Sequence, residues 1–208
     1  WFRDYHNSRT QYVGVNGAES KPLLIRCGVP QGSILGPLLF VIYINDIVNT
    51  SSLAKFIMFA DDTNLFFKHK DLQSLFNIIN AELIKICDWF KLNKLSLNIK
   101  KTNFIIFQSS NKKKIINLDQ NIFIDNIKIE RVYNTKFLGV VINSKLTWED
   151  HIKVVRNKIS KNTGIIYRIR HNLSKTTLLM LYRTLIQPYI EYCNVVWAAG
   201  DSTSLKCL

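Results

Sequence analysis

Two adjacent aspartates between two short apolar runs constrain this chain more than any other feature. They are Asp61 and Asp62, and the segment around them reads Phe56-Ile-Met-Phe-Ala-Asp61-Asp62-Thr-Asn-Leu-Phe-Phe67. Each apolar run is too short for a helix and is rich in Phe, so the pattern predicts a strand, a tight turn and a second strand. Such a hairpin places both carboxylates at the end of an apolar sheet.

Two carboxylates held this close repel each other, which is costly unless a cation lies between them. Magnesium is the natural candidate, because it is a hard ion that binds carboxylate oxygens and fills its other positions with water and substrate phosphates. The alternative is an Asp-Asp turn that only closes a hairpin. The two aspartates alone do not decide between these interpretations.

The composition favours a packed protein with a polyanionic partner. Hydrophobic residues make up 47% and aromatic residues 12% of the 208 residues, enough for a core with or without a smaller appendage. No apolar run is long enough to cross a bilayer. Lys and Arg number 28 against 15 Asp and Glu, which gives a net charge of +13. Because these residues are spread among aromatics, nucleic acid is favoured over a membrane surface.

The cysteines and the first residue bear on the setting of the chain. Cys27, Cys87, Cys193 and Cys207 lie far apart without the spacing of metal ligands. We interpret them as reduced thiols of an intracellular protein. The chain begins at Trp1 and not at Met, so we expect a fragment of a longer polypeptide, in which no N-terminal targeting segment can be judged.

Strands and helices are predicted to alternate before the aspartates. Asn16-Gly17 predicts a hairpin turn, with residues 23–25 as the returning strand. A Gly- and Pro-containing loop then leads to a helix that starts between Ser33 and Pro37 and ends near Val48. Its loop exposes backbone N–H groups that suit a phosphate or a nucleotide edge. The residues expected to be buried in this helix are Leu38, Leu39, Ile42 and Tyr43.

The pattern after the aspartates predicts further strands followed by helices. Apolar residues at steps of three and four predict an amphipathic helix from Asp71 to about Asn93. Strands are predicted at residues 95–97, 104–107 and 137–142, with a second hairpin at 122–129. Gly139 is expected to mark a close backbone approach or a bulge. Past residue 148 a basic helix is predicted, then another from Ser174 to Gln187, where Pro188 interrupts it.

Several motifs occur in a fixed order along nearly the whole chain. They are Gly28-Val-Pro-Gln-Gly-Ser-Ile-Leu-Gly-Pro-Leu-Leu-Phe40, Tyr43-Ile-Asn-Asp46, Phe59-Ala-Asp-Asp-Thr63, Asn93-Lys-Leu-Ser-Leu-Asn98, Lys101-Thr102, Phe137-Leu-Gly-Val140 and Leu146-Thr-Trp148. In this order and spacing they resemble the reverse transcriptase of non-long-terminal-repeat retrotransposons, with the jockey-like insect elements as the most similar group. One such block could arise by chance, but the ordered set argues against coincidence.

The resemblance implies an α+β right-hand polymerase that lacks its N-terminal part. Residues 1–143 would form part of the palm, an antiparallel sheet with packed helices, together with the end of a fingers or palm helix. Residues 144–208 would form a helical thumb and the segment after it. Members of the family carry another metal-binding carboxylate on an earlier palm strand, and Asp4 and Asp46 do not match it. We therefore expect the chain alone to have little or no activity.

The resemblance also implies roles for individual residues. Asp61 would bind the metal, two Mg²⁺ ions in the complete enzyme with Mn²⁺ as an alternative, and Asp62 would support it. The residues that would contact the nucleotide or the template are Pro30, Gln31, Gly32 and Ala60. The residues that would form the primer grip are Phe137, Leu138, Gly139 and Val140, although the apolar ones could simply belong to the core. Lys101 would face the incoming triphosphate, and Lys100 remains an equal candidate on charge alone. The histidines, including His151, are interpreted as structural or surface residues.

The implied activity is RNA-directed DNA synthesis. Its partners would be an RNA template, a DNA primer and deoxynucleoside triphosphates, with no membrane and with protein partners unknown. The family implies an intracellular location, nuclear or cytoplasmic. The alternative from another functional class is a non-catalytic nucleic-acid-binding remnant of a decayed element.

Overall fold

The computed structural model describes residues 3, 5, 7, 9–26, 28–30, 32–107 and 120–198. Within those ranges the chain mixes helices with short strands, which agrees with the predicted α+β class. The α-helices are α1 (Leu35–Ile44), α2 (Leu72–Leu92), α3 (Glu149–Ile169), α4 (Lys175–Leu185), α5 (Gln187–Glu191) and α6 (Asn194–Trp197). Short 3-10 helices cover Asn45–Thr50, Ile99–Lys101 and Arg170–Asn172.

The strands of the described residues form two-stranded sheets. The strands are β1 (Thr10–Gln11), β2 (Gly14–Val15), β3 (Ala18–Glu19), β4 (Leu23–Leu24), β5 (Lys55–Phe59), β6 (Asp62–Phe66), β7 (Asn103–Phe104), β8 (Phe123–Ile124), β9 (Ile127–Lys128), β10 (Glu130–Arg131), β11 (Asn134–Phe137) and β12 (Val140–Asn143). Three antiparallel pairs are hairpins, namely β2 with β3, β5 with β6 and β11 with β12. β1 also pairs with β4 in antiparallel orientation. β7 pairs with β10 in parallel.

The chain divides into two compact units. The first comprises Trp1–Leu97 and Ile122–Asp125, and the second comprises Asn98–Asn121 and Asn126–Leu208. The division into a palm ending at residue 143 and a thumb starting at residue 144 rests on the family resemblance and stays a prediction. No helix of the described residues is both long and apolar enough to cross a bilayer.

In the first unit, α2 supplies most of the buried surface, as its periodicity predicts. Phe76, Leu83 and Ile86 are almost fully buried on the face that contacts β8 and the 3-10 helix Asn45–Thr50. Burial of an aliphatic or Phe side chain stabilises the fold by about 1.5–3 kcal/mol each. The helix begins where predicted, because the Asp71 carboxylate accepts a hydrogen bond from the backbone N–H of Ser74 at 2.7 Å.

The burial predicted for α1 is wrong. Leu38, Ile42 and Tyr43 are 55%, 63% and 47% exposed, and Leu39 is only half-buried. The segment Leu35–Ile44 is apolar on every side, so its periodicity does not select the face that packs. Ile44 is buried instead, and so is Ile47 in the 3-10 helix Asn45–Thr50 that follows, while Tyr43 contacts the unit through a hydrogen bond from its hydroxyl to the carbonyl of Asn93.

The strand predicted at residues 95–97 is also absent from the described chain. Lys94 adopts a left-handed conformation with φ +53°, and the N–H of Leu95 donates to the carbonyl of Phe90 at 2.9 Å. This Schellman motif satisfies the last carbonyls of α2 and uses the backbone that a strand would need. Of the strand predicted at 104–107, only Phe104 lies in a strand, β7. The hairpin predicted at 122–129 forms, with Asp125 and Asn126 at positive φ between β8 and β9.

In the second unit, residues 137–142 form the end of a hairpin and not the single strand predicted. Phe137 pairs with Val140, and the two residues between them, Leu138 and Gly139, have φ of +43° and +87°. Positive φ at both central residues is the conformation that two-residue hairpin loops favour. The interpretation of Gly139 as a bulge is therefore wrong, whereas the predicted close backbone approach is confirmed below.

The predicted C-terminal helices form with small shifts in their ends. Ser174 accepts a hydrogen bond from the N–H of Thr177 at 3.1 Å and caps α4, as predicted. The break comes at Ile186, one residue before the predicted end, and Pro188 lies in the first turn of α5, where its missing N–H costs nothing. Val140, Ile152, Val155, Ile186 and Trp197 are among the buried residues of this unit.

Candidate active site

The β5–β6 hairpin presents the two aspartates as the sequence predicts. Its register pairs Phe59 with Asp62 and Met58 with Thr63 across a two-residue turn. Paired residues share a face of the sheet, and the faces alternate along each strand. The face with Met58 and Thr63 is half-buried, whereas Phe59 is 61% exposed on the opposite face. Asp62 therefore lies on the open face, at the end of the hairpin.

Asp61 lies in the turn itself, next to Asp62. Both residues are exposed, and neither side chain forms a hydrogen bond or an ion pair with any residue that the structure describes. Adjacent carboxylates with uncommitted oxygens are an acceptor-only group, because an ionised carboxylate has no proton to donate. The hairpin end can therefore accept a cation or hydrogen-bond donors from outside.

The turn contains a strained residue. Ala60, directly before Asp61, has φ +51°, in the left-handed region that residues with a Cβ avoid. The left-handed conformation costs about 1–2 kcal/mol for such a residue. Strain of this kind persists only where the surroundings impose it, and it is concentrated at functional sites. The backbone at the two carboxylates is thus held in a conformation that it would not adopt by itself.

A divalent metal fits this donor set in part. Asp61 and Asp62 are hard oxygen ligands, and Mg²⁺ in proteins is commonly held by one or two carboxylates with water and substrate phosphates in the other positions. Among the described residues, no group of three or more His, Cys, Asp or Glu side chains is arranged to hold a metal ion. The two carboxylates would supply part of the coordination of such an ion, with its other positions open to water, substrate phosphates or further carboxylates.

The loop before α1 is built around Ser33. The Ser33 hydroxyl donates to the carbonyl of Pro30 at 2.8 Å and accepts from the N–H of Gly36 at 3.0 Å. A Cβ at Gly36 would lie 3.0 Å from the Ser33 Oγ and 3.3 Å from the Pro30 oxygen, so the close packing favours glycine. Gly32 has φ +80°, which also favours glycine. The helix starts within the predicted range, but its N-cap is Ile34, and Ser33 lies one residue earlier and holds the loop against the first turn.

The remaining predicted nucleotide-site residue of this loop is Gln31, which lies outside the described residues. Pro30 is half-buried and Gly32 is exposed, and Arg9 donates from its Nη2 to the carbonyl of Gly28 at 2.5 Å. The requirement for Gly36, which the sequence did not point to, follows from a contact between residues three apart. Its signal was the Ser-x-x-Gly spacing at a helix start.

Lys101 ends the 3-10 helix Ile99–Lys101 in the second unit. Lys100 and Lys101 are both exposed on this turn, and the N–H of Lys101 donates to the carbonyl of Asn98 at 3.0 Å. Thr102 Oγ1 donates to the same carbonyl at 3.0 Å. The turn therefore has a defined backbone, but exposure does not distinguish the two lysines, and the choice between them stays open.

The predicted primer grip is the turn of the β11–β12 hairpin. Val140 is 6% exposed, Phe137 is half-buried, and Leu138 and Gly139 are exposed between them. Val140 thus belongs to the core, Phe137 is partly accessible, and the two central residues are open for contact, so the choice between primer grip and core stays open. The close approach predicted at Gly139 is to Tyr192, whose Cε1 would lie 2.9 Å from an added Cβ.

His151 is a structural residue and not a surface one. It is 4% exposed, and its Nδ1 accepts a hydrogen bond from the N–H of Val141 at 3.2 Å. Burial is the main cause that lowers the pKa of His151 below its usual value, and the nearby Lys158 acts in the same direction. The sequence shows no ligand spacing for His151, and its burial follows from its place four residues before Val155, on the helix face where Ile152 and Val155 are also buried.

The predicted site residues fall into two sets. Ala60, Asp61 and Asp62 share one turn, and Pro30 and Gly32 share one loop of the same unit. Lys101 and the residues of the predicted primer grip belong to the second unit. Their individual roles stay predictions.

Comparison with known proteins agrees with the motifs. The chain is 23% identical over 211 residues to the probable RNA-directed DNA polymerase from transposon X-element of Drosophila melanogaster, which covers 98% of this chain and 23% of the relative. It is 24% identical over 216 residues to the RNA-directed DNA polymerase from mobile element jockey of the same species, with the same shares of the two chains. A Pol polyprotein from the type-1 retrotransposable element R1 of Bradysia coprophila is 23% identical over 206 residues, covering 95% of this chain and 20% of the relative.

The chain therefore spans about a quarter or less of the length of these curated relatives. No solved structure matches it significantly. The family profile described as reverse transcriptase (RNA-dependent DNA polymerase) matches residues 1–142, which include the β5–β6 hairpin, the loop before α1, Lys101 and the β11–β12 turn. The resemblance inferred from the motifs is confirmed, and the chain belongs to the reverse transcriptase family.

Proposed function

We propose that this chain is the palm and thumb part of an RNA-directed DNA polymerase from a non-long-terminal-repeat retrotransposon. The observation that carries the proposal is the β5–β6 hairpin. It holds Asp61 in a strained turn and Asp62 beside it on an open face, with uncommitted oxygens. A two-residue hairpin turn accounts for the positive φ of Ala60, but closing a hairpin does not need two adjacent uncommitted charges. Family membership supports the same conclusion.

In this proposal Asp61 and Asp62 hold divalent metal, Mg²⁺ or Mn²⁺, at the hairpin end. When bound, a pair of such ions lowers the pKa of the primer 3′-hydroxyl and neutralises charge on the leaving pyrophosphate. The contribution of the protein is placement, because the strand pairing and the strained Ala60 fix the carboxylates before substrate arrives. Lys101 or Lys100 would donate a proton or a charge-assisted hydrogen bond to pyrophosphate.

The remaining roles concern nucleic acid. Pro30, Gln31, Gly32 and Ala60 would contact the incoming nucleotide or the template, and the β11–β12 turn would seat the primer terminus. Helix α3 carries exposed basic residues that would contact duplex phosphates without reading sequence. These residues are Lys153, Arg156, Lys158, Lys161 and Arg168. The substrates would be an RNA template, a DNA primer and deoxynucleoside triphosphates.

A non-catalytic nucleic-acid-binding remnant is the second candidate function. It is favoured by one observation: in the described parts of the chain, no third acidic side chain joins the two aspartates. Both candidates predict binding to a primer–template, so binding does not separate them. Metal binding at the hairpin does, since only the polymerase requires it.

The decisive experiment follows Mn²⁺ by NMR on the chain bound to a primer–template and a deoxynucleoside triphosphate. Because Mn²⁺ broadens nearby signals, we expect selective loss of the amide signals of residues 60–62. Asp61→Asn removes one of the carboxylates, so we expect the affinity for Mn²⁺, measured from the broadening in a Mn²⁺ titration, to fall at least tenfold. Asp88→Asn, which removes an exposed aspartate from α2, is the matched control. Broadening that is unselective, or unchanged in Asp61→Asn, would reject the metal site.

Primer extension on a homopolymer template tests the activity of the chain itself. We expect little or no synthesis, because two carboxylates are fewer than the family uses. Robust synthesis that disappears in Asp62→Asn would show that the site is completed from within the chain, and it would contradict our expectation.

A further inference from the structure

The β11–β12 turn is held by a residue 54 positions later in the chain. The hydroxyl of Tyr192 donates a hydrogen bond to the carbonyl of Leu138 at 2.7 Å. Its ring also lies against Gly139, where an added Cβ would be 2.9 Å from Tyr192 Cε1 and 3.3 Å from the hydroxyl oxygen. Gly139 is thus required twice, by its φ of +87° and by the ring that occupies the space of a side chain.

Tyr192 is in turn held by Trp197. The indole Nε1 donates to the carbonyl of Tyr192 at 2.8 Å, and Trp197 is 2% exposed. The chain between these two residues turns sharply, with Cys193 at φ +51°. The buried indole donates its only N–H to the carbonyl of Tyr192, and this hydrogen bond fixes the position of the Tyr192 backbone and thus of the point from which its ring extends.

His151 closes the connection back to the hairpin. Its ring meets the Trp197 ring edge-on, with 5.4 Å between the centroids. Its Nδ1 accepts from the N–H of Val141, which follows Val140 in β12. The contacts therefore run from the turn to Tyr192, to Trp197, to His151 and back to the strand that leaves the turn.

This arrangement exceeds what a stable hairpin needs. β11 and β12 already specify the hairpin through four paired residues each. Tyr192 is 52% exposed, and its hydrogen bond to the turn is one of ordinary strength, about 1 kcal/mol. The bond restrains the carbonyl of Leu138, which adopts the left-handed conformation of a two-residue hairpin loop with φ +43°.

We propose that Tyr192, Trp197 and His151 form a positioning clamp that fixes the Leu138–Gly139 turn and, through it, the 3′ end of the bound primer. The part that concerns the primer rests on the proposed function. The clamp residues all lie beyond residue 142, where the family match ends. They act through the turn and are positioning residues, not catalytic ones.

The clamp is tested first without nucleic acid, by amide hydrogen exchange. Tyr192→Phe keeps the ring and removes only the hydroxyl. We expect about fivefold faster exchange at residues 138–140, since one hydrogen bond of ordinary strength is lost. Tyr182→Phe is the matched control, because Tyr182 is a 43% exposed tyrosine on α4 in the same unit. Equal exchange in the two variants would overturn the clamp.

The second measurement places the fluorescent base 2-aminopurine at the 3′ end of the primer. We expect Tyr192→Phe to alter its fluorescence at saturating protein by at least twofold, while the affinity for the primer–template changes less than twofold. Loss of a residue with only a structural role would lower the affinity for the primer–template or the stability of the fold. It would not change the 2-aminopurine fluorescence at saturation while the affinity stays the same. Tyr182→Phe should behave as wild type in both readings.

The two measurements separate failure of the clamp from failure of the proposed function. If wild type protects residues 138–140 and Tyr192→Phe releases them, but the primer end gives no signal in either protein, the clamp stands and the primer role is rejected. If the primer end responds in wild type and Tyr192→Phe changes neither this signal nor the exchange at residues 138–140, the clamp is rejected. If Tyr192→Phe changes the exchange alone, the clamp holds the turn but does not position the primer end, and that part of the proposal is rejected.

Discussion

The strain at Ala60 leads to a prediction in which one substitution has opposite effects at two positions. Replacing Ala60 by Gly removes the left-handed penalty of about 1–2 kcal/mol. It adds an entropic cost of about 0.5–1 kcal/mol, because glycine has more freedom in the unfolded chain. The difference between the two spans about 0–1.5 kcal/mol, and we therefore expect Ala60→Gly to raise the free energy of unfolding by about 0.7 kcal/mol.

Ala81→Gly is the matched control. Ala81 is exposed in the middle of α2 and belongs to the same compact unit, but its backbone is helical. There is no strain to relieve at this position, so only the cost remains, about 0.5–1 kcal/mol of lost stability. The same chemical change should thus stabilise the unit at residue 60 and destabilise it at residue 81.

Urea unfolding followed by circular dichroism measures both effects. With a denaturant dependence of about 2 kcal/mol per molar urea, the midpoint should rise by about 0.3–0.5 M in Ala60→Gly and fall by a similar amount in Ala81→Gly. In Ala60→Gly we also expect weaker Mn²⁺ broadening at the hairpin, since the freed backbone no longer holds the carboxylates together. If both variants lose stability equally, the turn is not strained and this reasoning is wrong.

Three further predictions concern single side chains. In the native chain, a maleimide should label exposed Cys193 within minutes and spare Cys87, which is buried and whose pKa burial raises; peptide mass spectrometry would locate the label, and equal labelling would contradict the packing of α2. Because burial lowers the pKa of His151, the unfolded chain binds more protons below pH 6.5, so stability should fall as the pH drops through that range. His151→Gln should flatten this slope of unfolding free energy against pH, and an unchanged slope would contradict the burial of His151. Arg156→Gln should lower the slope of log affinity against log salt for a primer–template by about 0.9, the change for one phosphate contact, and an unchanged slope would exclude a contact between Arg156 and phosphate.

The local signals in the sequence were sufficient for much of the first unit. Alternating apolar runs around Asp61 predicted the β5–β6 hairpin, and the Asn16-Gly17 pair predicted a turn that forms with both residues at positive φ. The Asp71 and Ser174 caps start their helices where expected. Each of these turns and caps is formed by residues within a few positions of one another, so the local sequence is sufficient to predict it.

The sequence by itself therefore determined the family, the helices α1 to α4 and the turn that carries the two aspartates. The tertiary structure decided which apolar residues are buried and what holds each turn. Leu38 and Ile42 look like core residues because α1 is apolar on all sides, and only packing selects Ile44 instead. Likewise, Gly139 signals a close approach, but the partner is Tyr192, 53 positions away. A contact between distant residues leaves no periodic trace in either segment, and it exists only once the fold has brought them together.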